Sequence, residues 1–546
     1  QLPSPPTICA GSVMLTLVPV GLLLLVSGAV VVVRRARPNF GASWFLSVAA
    51  GVLALGLMIA FRWIVPAPIG SDSWLPGTRE GGQILFRVDD ISWSYGVSLL
   101  GLLLAILLTA PVRLQYRSSP LSWSANLAIA GAALLSVLAA TPLTLVLTWT
   151  VLDIIDLVVS IASNAEIKIT RAAVIAFVFR LAGSLLVVWA MGVSQADGSR
   201  LQLEAAQPEA ALFLLLAVGL RLGVLPLSLP YYSEALRRRG IGSMVRLAGP
   251  AASLGVLARL PATVAPLDIS PLLLALVGLA VLYGAGMWLA SPDEVTGRQY
   301  WIIALAGLAV GSVIRGQPQA SLAWGVSMIL CGGLLFLFST RPTVSTVLPL
   351  LGLVGLSGLP FTPAASGWAG MVVLPFTIPD LFFIAAHATL LIGYIRHFLR
   401  PGDQPDEVER WTQVAYSVGL LLLVGLGWML GVLGWAGSFT RGLWWASMIS
   451  VLLAIGAGVP IFILWKRGRD LTQFQQGWLW RVGSRVGNSV SQILRFNWLY
   501  QFFGWVYEWI GRFIRLVTEM LEGAGGILWV LVFLVLLITV VQASVK

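Results

Sequence analysis

The chain has 546 residues, 58% of them hydrophobic and 10% charged, with a formal net charge of +11 at pH 7. No soluble domain buries that much apolar surface, so the composition specifies a polytopic membrane protein. Apolar runs of about 20 residues specify spanning helices rather than the ten-residue alternating strands of a barrel. The positive charge reads as charge sorting across a bilayer: the sequence carries no nucleic-acid-binding motif, and its only lysines are Lys168, Lys466 and Lys546.

Taken in order, the apolar runs predict about sixteen spans. They cover residues 11–33, 43–65, 91–111, 121–140, 142–162, 171–191, 208–229, 242–260, 269–290, 299–314, 321–339, 346–374, 377–399, 412–435, 442–465 and 526–543. The fold class is therefore all-α integral membrane, with N-terminal helices (1–120), a core bundle (121–400), further C-terminal helices (401–465), a lateral segment (466–525) and a final anchor (526–546). Arginine placement sets the orientation. With the N-terminus outside, the clusters Arg34/Arg35/Arg37, Arg113/Arg117, Lys168/Arg171, Arg237/Arg238/Arg239, Arg396/Arg400 and Lys466/Arg467/Arg469 all fall inside.

Five ionisable side chains sit deep inside these spans: Asp153 and Asp156 in the fifth, Arg180 in the sixth, Arg221 in the seventh and Arg246 in the eighth. A charge at bilayer depth costs several kcal/mol and is rarely left without a partner or a purpose. Several spans also carry helix breakers: Pro226 and Pro230 close the seventh, Pro250 lies inside the eighth, and Pro360 and Pro363 lie inside the twelfth. Broken helices at membrane depth persist where protein or a wet cavity satisfies the freed backbone groups.

The lateral segment differs from the rest. Trp498, Phe502, Trp505, Trp509, Phe513 and Leu516 recur at steps of three or four, with Arg512, Arg515 and Glu519 elsewhere on the wheel. That pattern predicts one long or two shorter amphipathic helices lying at the membrane interface on the inner side. Other chemistry is sparse. Cys9 and Cys331 do not suit a disulfide, no metal-ligand cluster is present, and His387 and His397 read as packing or interfacial residues. The chain carries no nucleotide-binding glycine loop, no CxxC cluster and no haem-binding pair, so no bound cofactor is expected.

The order of motifs resembles the antiporter-like membrane subunits of respiratory complex I, types L, M and N, and of multisubunit cation/proton antiporters. FRVDDISWSYGVSLLGLLLA resembles the opening of the third span, and LTWTVLDIIDLVV the fifth, where the family places a key acid. Asp153 is its first counterpart and Asp156 the second. RLGVLPLSLP, followed by Ser243, resembles the seventh-to-eighth-span stretch, with Arg221 in place of a lysine. CGGLLFLF and LVGLSGLPFTPAASGWAG resemble the eleventh and the broken twelfth spans, and the lateral segment is most similar to the L type. The resemblance covers nearly the whole chain.

It implies a subunit taking part in proton translocation coupled to quinone-linked electron transport, with other membrane subunits and the lipid bilayer as partners and any quinone or lipid contact made through partners. The departures point elsewhere. Where the family's relay of histidines and lysine would run, this chain has Trp324, Met328 and Gly332, with Trp368 after the twelfth-span break and Leu247 beside Arg246 in the eighth. Arginine stays charged inside proteins, so Arg221 keeps the charge of a lysine but cannot carry its proton. Two readings of an Asp153–Arg221 pair therefore stand, a permanent tie between spans or a movable electrostatic switch. The corresponding alternatives for function are a non-pumping scaffold of a membrane redox or photosynthetic complex and a membrane partner in inorganic-carbon uptake.

Overall fold

The computed structural model describes residues 15–37, 42–70, 83–112, 120–162, 167–196, 201–229, 239–339, 347–372, 376–400, 402, 409–466, 505, 508–509, 511–513, 515, 518 and 526–544. They fall into two compact units, Gln1–Gly487 and Asn488–Lys546. In the first, the chain runs through α1 (Val18–Ala36), α2 (Ser43–Ala60), a two-residue ribbon of β1 (Ile69–Gly70) on β2 (Leu85–Phe86), α3 (Asp90–Thr109), α4 (Pro120–Val137), α5 (Pro142–Ala162), α6 (Ile167–Ala196) and α7 (Pro208–Leu222). It continues through α8 (Arg239–Leu257), α9 (Ser270–Ala290), α10 (Arg298–Ile314), α11 (Ala320–Leu337), α12 (Val347–Leu356), α13 (Ile378–Phe398), α14 (Arg410–Leu433) and α15 (Trp444–Lys466).

Among the described residues, ten helices are long and apolar enough to cross a membrane, and four shorter apolar ones lie at Leu121–Val137, Arg298–Ile314, Val347–Leu356 and Trp444–Gly458. The chain is thus an integral, multi-pass membrane protein. Helices apolar all round belong at the centre of a bundle. α3 and α8 are buried over 89% of their spans and α11 over 94%, while α5 and α6 are buried over only 33%. α3 packs against α2, α4, α8, α11 and α14, and so forms the axis of the bundle. Its start is fixed by a capping box: the Asp89 side chain accepts from the Ser92 amide, and the Ser92 hydroxyl accepts from the Asp89 amide.

Two helices stop short of a full span. α7 has 15 residues, about 22 Å at the α-helical rise, against a hydrocarbon thickness of about 30 Å. Its stop is at Gly223, whose left-handed conformation (φ 73°) lets its N–H close on the helix carbonyls. The predicted breaker, Pro226, comes three residues later, and Pro230 lies outside the described residues. α12 ends at Leu356, and the chain then crosses an irregular stretch containing Pro360 and Pro363 before the 3-10 turn Ala365–Trp368. Gly358 (φ 68°) enables this path, and a Cβ there would collide with the Trp368 indole.

α8 departs from expectation, for it runs unbroken through Pro250. The ring removes one amide from the ladder, yet every residue from Leu247 to Leu257 is buried against neighbouring helices, and that packing holds the axis.

In the second unit, α16 (Gly526–Ser544) carries a row of exposed apolar side chains from Leu531 to Ile538. The lateral segment falls largely outside the described residues. Of it, Trp505, Glu508, Trp509, Gly511, Arg512, Phe513, Arg515 and Thr518 are helical, with Trp509 and Phe513 stacked at 6.2 Å.

Candidate functional site

On α5, Trp149, Leu152, Asp153 and Asp156 share the buried face at i, i+3, i+4 and i+7, whereas Val151, Ile154 and Val158 are exposed. The two carboxylates thus point into the bundle by helical periodicity alone. Arg221 meets them from the last turn of α7, where the unpaired carbonyls of the helix end favour a cation. Its Nη1 donates to Asp153 Oδ2 at 2.7 Å and its Nη2 to Asp153 Oδ1 at 3.1 Å, the forked geometry matched to a carboxylate. Nη1 also donates to the Arg180 carbonyl (2.9 Å) and to Ser184 Oγ (3.2 Å), and Nε donates to Ser253 Oγ (3.2 Å). The Trp149 ring lies 4.1 Å from Cζ, adding a cation–π contact.

Arg180, from α6, completes the network. Its Nη2 is 2.5 Å from Asp156 Oδ2 and its Nε 3.3 Å from Asp153 Oδ1. The four charged residues are all at least 93% buried and balance to zero net charge. The approach of α6 to α7 depends on Gly183, where a Cβ would come within 2.5 Å of Arg221 Cγ and 2.9 Å of the Ala217 carbonyl. Asp153 has both oxygens engaged, but Asp156 Oδ1 is buried with no hydrogen bond among the described residues.

Four of the five predicted charges therefore meet, and Arg246 does not join them. It lies instead within electrostatic range of Arg298. Trp149, Ser184 and Ser253 escaped the sequence reading; the i−4 spacing of Trp149 from Asp153 was the available signal.

The half of the bundle built from α9 to α13 has a different lining. Trp324 donates from Nε1 to the Gly367 carbonyl (2.9 Å) and packs edge-on against Trp368 (5.7 Å) and His387 (5.4 Å). Trp301 donates to the Met328 carbonyl (3.0 Å) and leans on Trp288 (5.2 Å). All four indoles are fully buried, as are Met328 and Leu247. A side chain at Gly332 would collide with the Trp301 indole. His387 is held between the Leu356 carbonyl (3.1 Å) and Ser450 Oγ (2.6 Å), and one neutral tautomer satisfies both ring nitrogens. His397 contacts the Trp288 carbonyl and ring. Both histidines thus serve packing between helices.

At the end of the bundle where α3 begins, Arg259 ties three elements together. Its Nη2 reaches both oxygens of Asp89 (3.1 and 3.2 Å), and its Nη1 the Ala139 carbonyl (2.7 Å). Burial alone would push the Asp89 carboxyl up. The Arg259 charge and the Ser92 hydrogen bonds outweigh that and hold it down at about 2. A cavity of about 610 Å³ opens here, lined by Arg62, Arg87, Asp89, Asp90, Glu204 and Arg259 among others. Among the described residues, no group of three or more His, Cys, Asp or Glu side chains is placed to hold a metal.

The sequence matches no protein-family model and no curated protein. Solved structures do match the fold. A chain of the Mrp complex from Dietzia sp. aligns with a TM-score of 0.70 at 16% identity, over 98% of this chain and 63% of that one, so this chain spans less than two thirds of its length. A chain of the membrane-bound sulfane sulfur reductase, an archaeal respiratory membrane complex, aligns with a TM-score of 0.63 at 16% identity, over 97% of this chain and 100% of that one. A chain of respiratory complex I from Thermus thermophilus aligns with a TM-score of 0.59 at 20% identity, over 80% and 99%. The antiporter-like fold expected from the order of motifs is the fold observed. At these identities the likeness is one of architecture.

Proposed function

We propose that this chain is an antiporter-like membrane subunit of a multisubunit, complex I-type assembly, and that it acts there as a scaffold rather than as a complete proton conductor. The observation that carries this reading is the aromatic packing of α9 to α13. Trp288, Trp301, Trp324 and Trp368 fill this half around only two imidazoles among the described residues, His387 and His397, ten residues apart on α13, where a proton path needs a continuous run of titratable side chains or water. Indoles donate hydrogen bonds but do not accept and release protons at ordinary pH. The α5–α7 network agrees with it, because its cations are both arginines that stay charged. The chain holds no redox centre of its own on this reading, and any quinone or lipid contact relevant to electron transport comes through neighbouring subunits.

A second reading keeps limited proton handling in the α5–α7 half. It is favoured by Asp156 Oδ1, an acceptor with no hydrogen bond among the described residues. Reconstitution separates the two. In liposomes with an imposed pH gradient and a potassium-clamped potential, the purified chain should pass no more protons than protein-free vesicles, and Asp156→Asn should change nothing. Proton flux above that background, abolished by Asp156→Asn, would reject the scaffold reading and establish the second.

A further inference from the structure

The cavity of about 610 Å³ beside the start of α3 takes no part in the α5–α7 network or in the aromatic half. Its walls come from the ends of five spanning helices. Phe61 follows α2, Asp89 caps α3, Arg259 follows α8, Gln319 precedes α11 and Trp435 follows α14. The ends of spanning helices mark the depth at which hydrocarbon gives way to headgroups, where tryptophans gather. Trp93, Trp435, Leu260 and Leu322, all buried, supply an apolar part of the lining. Val65 also lines the cavity and is exposed, as are Trp63 and Ile64 before it, so apolar surface runs up to the site.

The polar lining divides in two. Arg259 and Asp89 form the fixed part, since Arg259 is 2% exposed at the side chain and holds both carboxylate oxygens. The other part is loose. Arg62 meets Asp90 at 2.5 Å with side-chain exposures of 32% and 50%, and Arg87 meets Glu204 at 2.5 Å with exposures of 41% and 60%. Ion pairs so exposed add little to stability, because water solvates the separated charges nearly as well. Each can therefore exchange its internal partner for a ligand's group at small cost. The signs then select the ligand. A simple anion at the guanidiniums meets Asp90 and Glu204 beside them, and a simple cation at the carboxylates meets Arg62 and Arg87. A molecule bearing both charges gives each side chain its opposite, and guanidinium groups are well matched to phosphate oxygens. The volume lies in the range of small-ligand sites, which combine apolar walls with a few polar groups.

We propose that this cavity binds a zwitterion carrying a primary ammonium and a phosphate. Glu204 and Asp90 accept from the ammonium, and Arg87 and Arg62 donate to the phosphate. The two sources of that chemistry are the headgroup of an ethanolamine phospholipid, its acyl chains lying over Trp63, Ile64 and Val65, and soluble phosphoethanolamine. The site is independent of any proton path.

The test uses the full chain, purified in mild detergent and equilibrated with micelles holding equal amounts of phosphatidylethanolamine, phosphatidylcholine and phosphatidylglycerol. Mass spectrometry of the intact complexes measures each bound lipid. Phosphatidylethanolamine should exceed each of the others about tenfold, the worth of one charge-assisted hydrogen bond, because phosphatidylcholine has no ammonium N–H and phosphatidylglycerol no cation. Glu204→Gln should bring bound phosphatidylethanolamine down to the level of phosphatidylcholine, and Arg87→Gln should lower it as far. Both side chains are well exposed, so each variant should fold. Glu209→Gln is the control: Glu209 is exposed in the first turn of α7, shortly after Glu204 and outside the cavity lining, and its loss should change nothing. Should no lipid be retained, phosphoethanolamine is titrated against the melting temperature. A saturable rise in the parent that is absent in Glu204→Gln assigns the site to the soluble source and supports the shared chemistry. The proposal is overturned if neither form binds, if the three lipids bind alike, if either Glu204→Gln or Arg87→Gln binds like the parent, or if Glu209→Gln loses as much as Glu204→Gln.

Discussion

Arg221 illustrates what burial demands of a single charged side chain. It is 1% exposed, and every polar nitrogen of its guanidinium has an acceptor. Removing one partner of such a pair strands the other charge, at a cost of about 3–5 kcal/mol, whereas removing both leaves nothing stranded. Asp153→Asn alone and Arg221→Met alone should each lower the melting temperature of the purified chain markedly, and the double variant should recover most of the loss. A double variant as unstable as the sum of the singles would mean that the pair is not the source of the effect. Asp89 gives a pH dependence of definite sign. Its native carboxyl is held at about 2, below the ordinary value of about 3.9. Between those values the unfolded chain binds more protons than the native one. The stability contributed by Asp89 is therefore complete above about pH 4 and lost as pH falls through about 2. Melting curves from pH 6 down to 3 should fall less steeply for Asp89→Asn than for the parent.

At the scale of elements, the network depends on how closely α6 and α7 approach and on where α7 ends. Gly183→Ala places a methyl 2.5 Å from Arg221 Cγ and beside a carbonyl, so either the arginine or a helix must move. A loss of about 1–3 kcal/mol is expected, the usual range for overpacking a fitted contact. It should appear as a lower melting temperature of the purified chain; a melting temperature equal to the parent's would show that the contact yields without cost. Gly223 acts differently, since it ends α7 so that Arg221 sits in the last helical turn. The prolines that read most strongly as breakers in the sequence do not make this stop, and α8 passes through Pro250 unbroken. A proline removes one N–H from a ladder, but whether the helix then bends depends on what packs around it.

For the whole molecule, the contrast is between two halves of one bundle. α5 to α7 hold buried charges in ordered ion pairs, and α9 to α13 hold buried indoles in ring contacts. On the proposed scaffold reading, a chain with that division works among sister membrane subunits rather than alone. Gentle purification of the tagged protein from its own cells should therefore recover other multi-pass membrane proteins in fixed proportion, identifiable by mass spectrometry. Recovery of the chain alone under conditions that preserve known membrane complexes would count against a scaffold.

The sequence by itself determined the solvent of this protein and the face of each charge. Twenty-residue apolar runs require a bilayer, and a period of 3.6 residues puts Asp153 and Asp156 on the side of Trp149. The order of motifs also indicated the antiporter-like fold, because composition and spacing survive where identity does not. Beyond the Asp153–Arg221 and Arg180–Asp156 pairs that the sequence already suggested, partner choice was decided only in three dimensions. That Arg180 bridges both carboxylates, that Ser184 and Ser253 complete the Arg221 shell, and that Arg246 stays outside it all depend on the rotation and depth at which separate helices meet. The indoles of α9, α10, α11 and the turn after α12 are more than 75 residues apart in the chain at their extremes, and nothing local marks Trp288 as a neighbour of Trp301 or Trp324 of Trp368. Periodicity is a property of one helix, whereas a site between helices is a property of their packing.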